Sequence, residues 1–331
     1  MKKIIKKAYK ALYILKNKLG KKRIFNKETI VVCKPSWKSF DASLYNSEKY
    51  DIAYVESVYG INQNSYDKIV AYIGDVPKEK LKQMVNLKWL QINSHGFNGF
   101  EKKALYADDK VIVTNLHGIF SKPMANYCVS AWYMFNCFAL RRVFSPDVKK
   151  NNVGQGNDEI SVLIYGLGDI GNEIARACKR QGWKVYGVKR SIPEILPDYL
   201  EDVVSFKDAE KYISKCDYII NVLPETKDTI GVFDREFFSK MNKNSVFCNV
   251  GRGSAVVDKD LDDAVKNSVI KGAILDACSS YPYKNPNIVL THHYSSFSKE
   301  NDELTDKLFS AQLKEFIENG ESSLENKVPL A

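Results

Sequence analysis

Midway along the chain the apolar run Glu159-Ile160-Ser161-Val162-Leu163-Ile164-Tyr165 passes directly into Gly166-Leu167-Gly168-Asp169-Ile170-Gly171, and then into the helical pattern of residues 172–181. An isolated GxGxxG is weak evidence, but here a strand precedes it and a helix follows. In that setting the first glycine permits a tight turn, the second admits a pyrophosphate close to the backbone, and the third lets helix and strand pack closely. A dinucleotide is therefore the expected ligand. The motif also sits far from the N-terminus, behind residues that carry apolar strands of their own. The nucleotide-binding domain is thus expected as an insertion within another domain.

Later segments agree. Strands are expected at 184–188, 217–222, 245–250, 272–275 and 287–290, alternating with helices near 207–215, 234–241 and 258–268. That alternation predicts a doubly wound parallel sheet. Upstream, residues 29–33, 51–55 and 68–72 read as short strands of a small α/β domain, with a helix over 77–85. The strand 87–92 runs into the loop Asn93-Ser94-His95-Gly96-Phe97-Asn98, and loops at strand carboxyl ends are where ligands sit in open α/β sheets. A long apolar helix is expected over 125–140, a final helix from 298 to about 319, and a tail from Glu321 that returns to the first domain.

At 331 residues the chain suits two domains of ordinary size. Its net charge of +9 comes from one place: residues 1–23 hold nine lysines and Arg23 with no acid, leaving thirty-nine basic against forty acidic residues elsewhere. No nucleic-acid partner is expected for the folded body. In the N-terminal segment Ile4, Ile5, Ala8, Ala11, Leu12, Leu15 and Leu19 share one helical face and Lys2, Lys3, Lys6, Lys7, Lys10 and Lys16 the other. Such a basic amphipathic helix fits peripheral contact with an anionic membrane surface, and equally a helix docked on its own domain or a frayed extension. The seven cysteines show no metal-binding spacing and read as reduced thiols of a cytoplasmic protein, with no metal expected.

Two side chains suggest chemistry. Arg252 stands between Gly251 and Gly253 at the end of a strand, where its planar fork suits the carboxylate of a 2-oxo or 2-hydroxy acid and the flanking glycines would let ligands approach; the plainer reading is a surface arginine in a turn. His292 and His293 follow the last strand, and a histidine there can give or take the proton of a carbonyl/hydroxyl pair. A metal pair or a polar strand end is the alternative, and on a strand at most one of the two would face a cleft. At the end of the second strand of the nucleotide unit, where an acid would bind a ribose hydroxyl, the chain has Lys189-Arg190-Ser191. Two cations and a hydroxyl fit a 2′-phosphate, so NADP is expected over NAD, although both cations also read as exposed turn residues.

Five segments, in order, carry a resemblance: Gly166 to Gly171, Leu223 to Thr229, Asn249 to Gly253, Gly272 to Asp276, and Thr291 to His293. Together they resemble the D-isomer-specific 2-hydroxyacid dehydrogenases over roughly residues 27–331, and Lys189-Arg190-Ser191 resembles the glyoxylate/hydroxypyruvate reductase branch. The resemblance implies a Rossmann cofactor domain, residues 123–297, inserted into a smaller flavodoxin-like α/β substrate domain, residues 27–122 and 298–331, after an extension at 1–26. It implies that Arg252 holds the substrate carboxylate, that Ser94, His95, Gly96 and Phe97 offer N–H groups to it, and that His293 is the general acid/base. Cofactor contacts are implied at Gly166, Gly168, Asp169, Ile170, Gly171, Leu223, Pro224, Thr229, Val250 and Asp276, the last near the nicotinamide. A homodimer is implied as well.

Two positions depart from the family. Where it has a glutamate that partners the histidine, this chain has Tyr281; where it usually has proline before the histidine, this chain has His292. An anion beside an imidazole favours its charged form, so without it His293 is expected to hold its proton less often at neutral pH. The Tyr281 hydroxyl can orient the ring, which makes Tyr281 a third catalytic candidate, but it cannot stabilise an imidazolium to the same degree. The expected function is hydride transfer between NADP(H) and a small 2-oxo or 2-hydroxy acid, by a slow reductase favoured at lower pH or one with a changed substrate. Its rival is a catalytically degenerate NAD(P)-binding protein that acts through nucleotide-dependent association.

Overall fold

The computed structural model describes residues 22–33, 47–97, 99–136 and 160–330. The expected basic helix of residues 1–23 falls almost wholly outside them, as do Asn98 and Cys137. The described residues form two compact units, one from the residues up to Ile119 together with Lys299 onward, the other from Phe120 to Ser298.

In the first unit, β1 (Thr29–Cys33), β2 (Asp51–Val55), β3 (Ile69–Ile73), β4 (Trp89–Gln91) and β5 (Ile112–Thr114) make one sheet in the order β2-β1-β3-β4-β5. All its pairings are parallel. Every residue of β1 and β3 is buried, which is why these segments are apolar without alternation: both faces of a parallel sheet are covered. This strand order is the flavodoxin-like one. Helix Lys299–Asn319 belongs to the same unit and sets Phe316 against Trp89, ring centroids 5.2 Å apart. The tail follows it, with the Val328 N–H donating to the Val113 carbonyl at 2.7 Å.

The second unit is a seven-stranded parallel sheet, order β12-β11-β10-β9-β6-β7-β8. Its strands are β6 (Ser161–Tyr165), β7 (Lys184–Val188), β8 (Asp202–Val204), β9 (Tyr218–Asn221), β10 (Val246–Asn249), β11 (Gly272–Leu275) and β12 (Ile288–Leu290). Successive side chains divide between two cores. Val162 and Ile164 pack with helices Ser121–Asn136 and Asp169–Arg180, whereas Leu163 and Tyr165 pack with the short helix Arg235–Ser239 and helix Asp258–Lys266. Strand order reverses at β6, which pairs with β7 on one side and β9 on the other. That is the Rossmann switch point, outside whose carboxyl edge nucleotides bind.

Some boundaries differ from expectation. Helix Ser121–Asn136 starts four residues before the expected 125, and residues 137–140 lie outside the described set. The helix expected over 77–85 shortens to Lys78–Leu81, and β5 and β8 are additional strands. Cys33, Cys128, Cys178, Cys216 and Cys248 are buried free thiols, and Cys278 is half-buried. Among the described residues no helix is long and apolar enough to cross a membrane.

Candidate active site

The glycine turn joins β6 to helix Asp169–Arg180, and its three glycines answer different demands. Gly166 holds φ at +102°, a backbone region that L side chains rarely adopt, and its N–H donates to the Val188 carbonyl at 3.0 Å. At Gly171 any Cβ would overlap the Gly166 carbonyl oxygen. Gly168, the helix N-cap, differs: a Cβ there would meet nothing of the protein within 4 Å. Packing requires the outer two glycines and leaves the middle one open over the N-terminus of the helix, which fits a pyrophosphate approaching the positive end of the helix. Asp169 is half-buried and Ile170 lies in the core. Asn172 steadies the turn, its Nδ2 donating to the Gly168 carbonyl at 2.8 Å.

Beyond β7, Lys189, Arg190 and Ser191 are exposed, and among the described residues neither cation forms an ion pair. After β9, the Thr229 hydroxyl donates to the Pro224 carbonyl at 2.6 Å and accepts from the Thr226 N–H at 2.8 Å, so it closes its own loop. Leu223 is half-buried, and Val250 is buried in the core with its N–H on the Asn221 carbonyl.

Arg252 follows β10 and is half-buried, Nη1 donating to the Gly251 carbonyl at 2.8 Å. Burial pushes its guanidinium down from the ordinary range, and the charge of Glu225 pushes back. Glu225 is held in turn by the Ser254 hydroxyl, 2.5 Å from Oε2. Among the described residues Arg252 has no ion-pair partner, which leaves a partly desolvated cation suited to an exogenous carboxylate. The flanking glycines are also required by packing. A Cβ on Gly251 would lie 2.8 Å from the Leu223 carbonyl oxygen, and one on Gly253 2.8 Å from the Cys278 carbonyl carbon. They are required by neighbouring strand ends.

The two histidines are not on a strand. β12 ends at Leu290, and His292 and His293 take φ of +52° and +68°, so opposite-face alternation does not apply. What holds this turn is Asp276, 2% exposed. Its Oδ1 accepts from the Thr291 hydroxyl and the Tyr294 N–H, both at 2.7 Å, and its Oδ2 accepts from the Ser295 N–H at 3.1 Å. Its carbonyl accepts from the His293 N–H at 2.8 Å. Asp276 therefore acts on the histidine turn, a role the resemblance did not supply. His292 Nδ1 lies 3.9 Å from Cys278 Sγ.

Tyr281 does not orient His293 here: its hydroxyl donates to Asp262 Oδ2 at 3.4 Å, and no hydrogen bond joins it to the imidazole. The difference comes from the loop after β11, which is tied to helix Asp258–Lys266. The Tyr283 and Ser279 hydroxyls both donate to Asp258, each at 2.6 Å. Among the described residues no group of three or more His, Cys, Asp or Glu is placed to hold a metal ion.

In the first unit the Ser94–Phe97 loop uses all its carbonyls internally. They accept from the Leu116 N–H at 3.0 Å (Ser94), Asn115 Nδ2 at 2.7 Å (His95), the Ser94 hydroxyl at 2.6 Å (Gly96) and the Phe100 N–H at 2.7 Å (Phe97). The N–H groups of Ser94, Gly96 and Phe97 donate to no described residue, a polarity that suits an anion. The rings of His95 and His117 stack at 5.5 Å; His117 carried no signal in the sequence.

A doubly wound parallel sheet with this turn at its switch point defines a nucleotide-binding Rossmann protein. Residues 140–295 match the model of the D-isomer specific 2-hydroxyacid dehydrogenase NAD binding domain. The chain is 28% identical to glyoxylate/hydroxypyruvate reductase A of Escherichia fergusonii over 149 residues, 43% of this chain and 47% of that protein. It thus spans about half the length of that curated relative. A D-isomer specific 2-hydroxyacid dehydrogenase family protein from Aeromonas salmonicida superposes with a TM-score of 0.76 at 23% identity, covering 92% of this chain and 99% of that one. An NADPH-dependent glyoxylate/hydroxypyruvate reductase from Sinorhizobium meliloti does so with a TM-score of 0.70 at 21% identity, covering 91% and 98%. Residues 140–295 thus carry an NAD binding domain of the D-isomer specific 2-hydroxyacid dehydrogenase kind.

Proposed function

We propose that the chain is an NADPH-dependent reductase of a small 2-oxo acid, able to run in reverse as a 2-hydroxyacid dehydrogenase. The observation that carries this is Arg252: a half-buried guanidinium with no ion-pair partner among the described residues, on the same sheet edge as the strained His293 turn. Its fork fixes the substrate carboxylate bidentately and, being permanently charged, orients the neighbouring carbonyl. When bound, the cofactor nicotinamide supplies the hydride. His293 gives its imidazole proton to the developing alkoxide oxygen and takes it back in the reverse direction. Gly168 and the helix N-terminus behind it hold the pyrophosphate, and Lys189 with Arg190 favours the 2′-phosphate of NADP over the bare ribose of NAD.

The test is NADPH oxidation with a panel of 2-oxo acids, glyoxylate and hydroxypyruvate included, beside Arg252→Ala. The variant is expected to raise KM steeply and lower kcat with NADPH affinity kept; an unchanged kcat/KM removes Arg252 from the site. The imidazole's lack of a partner in Tyr281 favours one second reading, a cofactor-binding protein without turnover, for which NADPH binds and no 2-oxo acid is reduced. A homodimer, read out by light scattering, and membrane contact through residues 1–23, read out by liposome co-sedimentation after their deletion, complete the proposal.

A further inference from the structure

Asn221 and Asn249 are the last residues of β9 and β10, directly paired in register, and both are 0% exposed. Polar side chains so deep in a sheet are costly unless their hydrogen bonds are made inside the protein. Here they are. Asn221 Nδ2 donates to Asn249 Oδ1 at 2.8 Å, and Asn221 Oδ1 accepts from the Leu223 N–H at 2.9 Å. Asn249 Oδ1 accepts also from the Gly251 N–H at 3.1 Å, while its Nδ2 donates to the Arg252 carbonyl at 3.0 Å and to the Ala277 carbonyl at 2.7 Å. The partners fix both amide orientations, since Nδ2 of Asn249 meets two carbonyls and its Oδ1 two N–H groups.

What these bonds connect is the point. Gly251 and Arg252 are the backbone under the guanidinium. Ala277 follows Asp276, whose carbonyl accepts from His293 and whose carboxylate holds residues 291–295. The main chain of Asn249 reinforces the link, its carbonyl accepting from the Asp276 and Ala277 N–H groups, both at 3.0 Å. A continuous set of hydrogen bonds thus runs from Leu223 through the two amides to Arg252 on one side and His293 on the other.

We infer that Asn249, braced by Asn221, is the positioning residue that sets the carboxylate-binding arm and the proton-donating arm in one frame. Neither amide touches substrate; both act through Arg252 and His293, so the inference rests on the roles proposed for those two residues. Displacing a binding group by about 1 Å costs up to a hundredfold in rate, which is the scale on which such a frame matters.

The experiment compares Asn249→Asp, which keeps the shape and loses both donors, with Asn221→Ser, which leaves both bonds of Asn249 Nδ2 in place and removes the amide that braces Asn249 and accepts from the Leu223 N–H. Asn249→Asp is expected to raise KM for the 2-oxo acid on the order of tenfold to a hundredfold with NADPH affinity within about twofold, and Asn221→Ser to act in the same direction but less. Combined with Arg252→Ala, the Asn249→Asp effect on KM should largely vanish, because the arm it positions is gone. Equal losses in both backgrounds, or a parallel fall in NADPH affinity, would mean a merely structural residue and overturn the inference. Should Asn249→Asp fail to fold, Asn221→Ser carries the test. Backbone amide exchange separates this from the catalytic proposal: the variants should speed exchange at both Gly251 and His293 even if no 2-oxo acid is turned over. Exchange unchanged at His293 sinks the frame even in an active enzyme.

Discussion

The Tyr281 hydroxyl donates to Asp262 Oδ2, 3.4 Å away, at the position where the family resemblance implies a glutamate. Restoring the acid therefore has two consequences. Tyr281→Glu should shift the turnover profile toward higher pH, because an anion favours the imidazolium. It should also lower stability at pH 7, since a carboxylate there is repelled by that of Asp262. Asp262→Asn in the same chain should recover the stability and keep the pH shift. An unmoved profile would remove position 281 from the proton-transfer chemistry.

The glycine turn predicts a separation of binding from folding. Gly168→Ala puts a methyl into open space, so its denaturation midpoint should hardly move, while NADPH affinity, read by fluorescence titration, should fall at least tenfold (about 1.4 kcal/mol or more). Gly171→Ala collides with the Gly166 carbonyl and should cost about 1–3 kcal/mol of stability. Equal behaviour of the two variants would contradict a pyrophosphate at Gly168.

Lys189→Ala and Arg190→Ala should each weaken NADPH binding about tenfold and leave NADH binding almost unchanged, since only the 2′-phosphate separates the two ligands. The difference should shrink in high salt, because both cations are exposed. If NADH and NADPH lose affinity together, the cations bind another part of the cofactor.

Much of this was legible because it is local. Gly166, Gly168 and Gly171 announce a turn through their spacing, and the fully buried strands announce a parallel sheet through unbroken apolar runs. Less legible were features imposed from a distance. β5 and β8 have three residues each, too few for periodicity to register, and exist because neighbouring strands pair with them. The left-handed backbone at His292 and His293 is enforced by Asp276, fifteen or more positions upstream, and no rule of spacing connects them. The strand ends that crowd Gly251 and Gly253, at Leu223 and Cys278, come from other segments, so the local sequence does not reveal this packing. Asn221 and Asn249 meet only through the register of β9 with β10, which spacing does not give.

A pH-linked stability term lies far along the same sheet. The Tyr212 hydroxyl, 2.5 Å from Asp202 Oδ2, holds the Asp202 carboxyl below the usual carboxylate range; burial pushes the other way, and Lys211 adds to the lowering. A depressed carboxylate contributes stability that is present above its unfolded value, about 3.9, and is lost as pH falls through the lower folded one. Tyr212→Phe should therefore narrow the gap in urea midpoint between pH 7 and pH 3. An unchanged gap would show that the hydroxyl does not favour the ionised form.

Asp276→Asn tests how far the histidine turn depends on one buried carboxylate. Asp276 accepts three hydrogen bonds through its two oxygens, and an amide can keep only one oxygen, so its NH₂ must face at least one donor, the Ser295 N–H or the pair from Thr291 and Tyr294. Leaving a buried donor unpaired costs about 1–3 kcal/mol, and His292 and His293 are held in a conformation L residues rarely adopt, so the turn is expected to relax. The variant should lose stability within that range and lose kcat more than KM, because His293 moves while Arg252, fastened through Asn249, stays. A rise in KM with kcat intact would place Asp276 with the carboxylate arm instead.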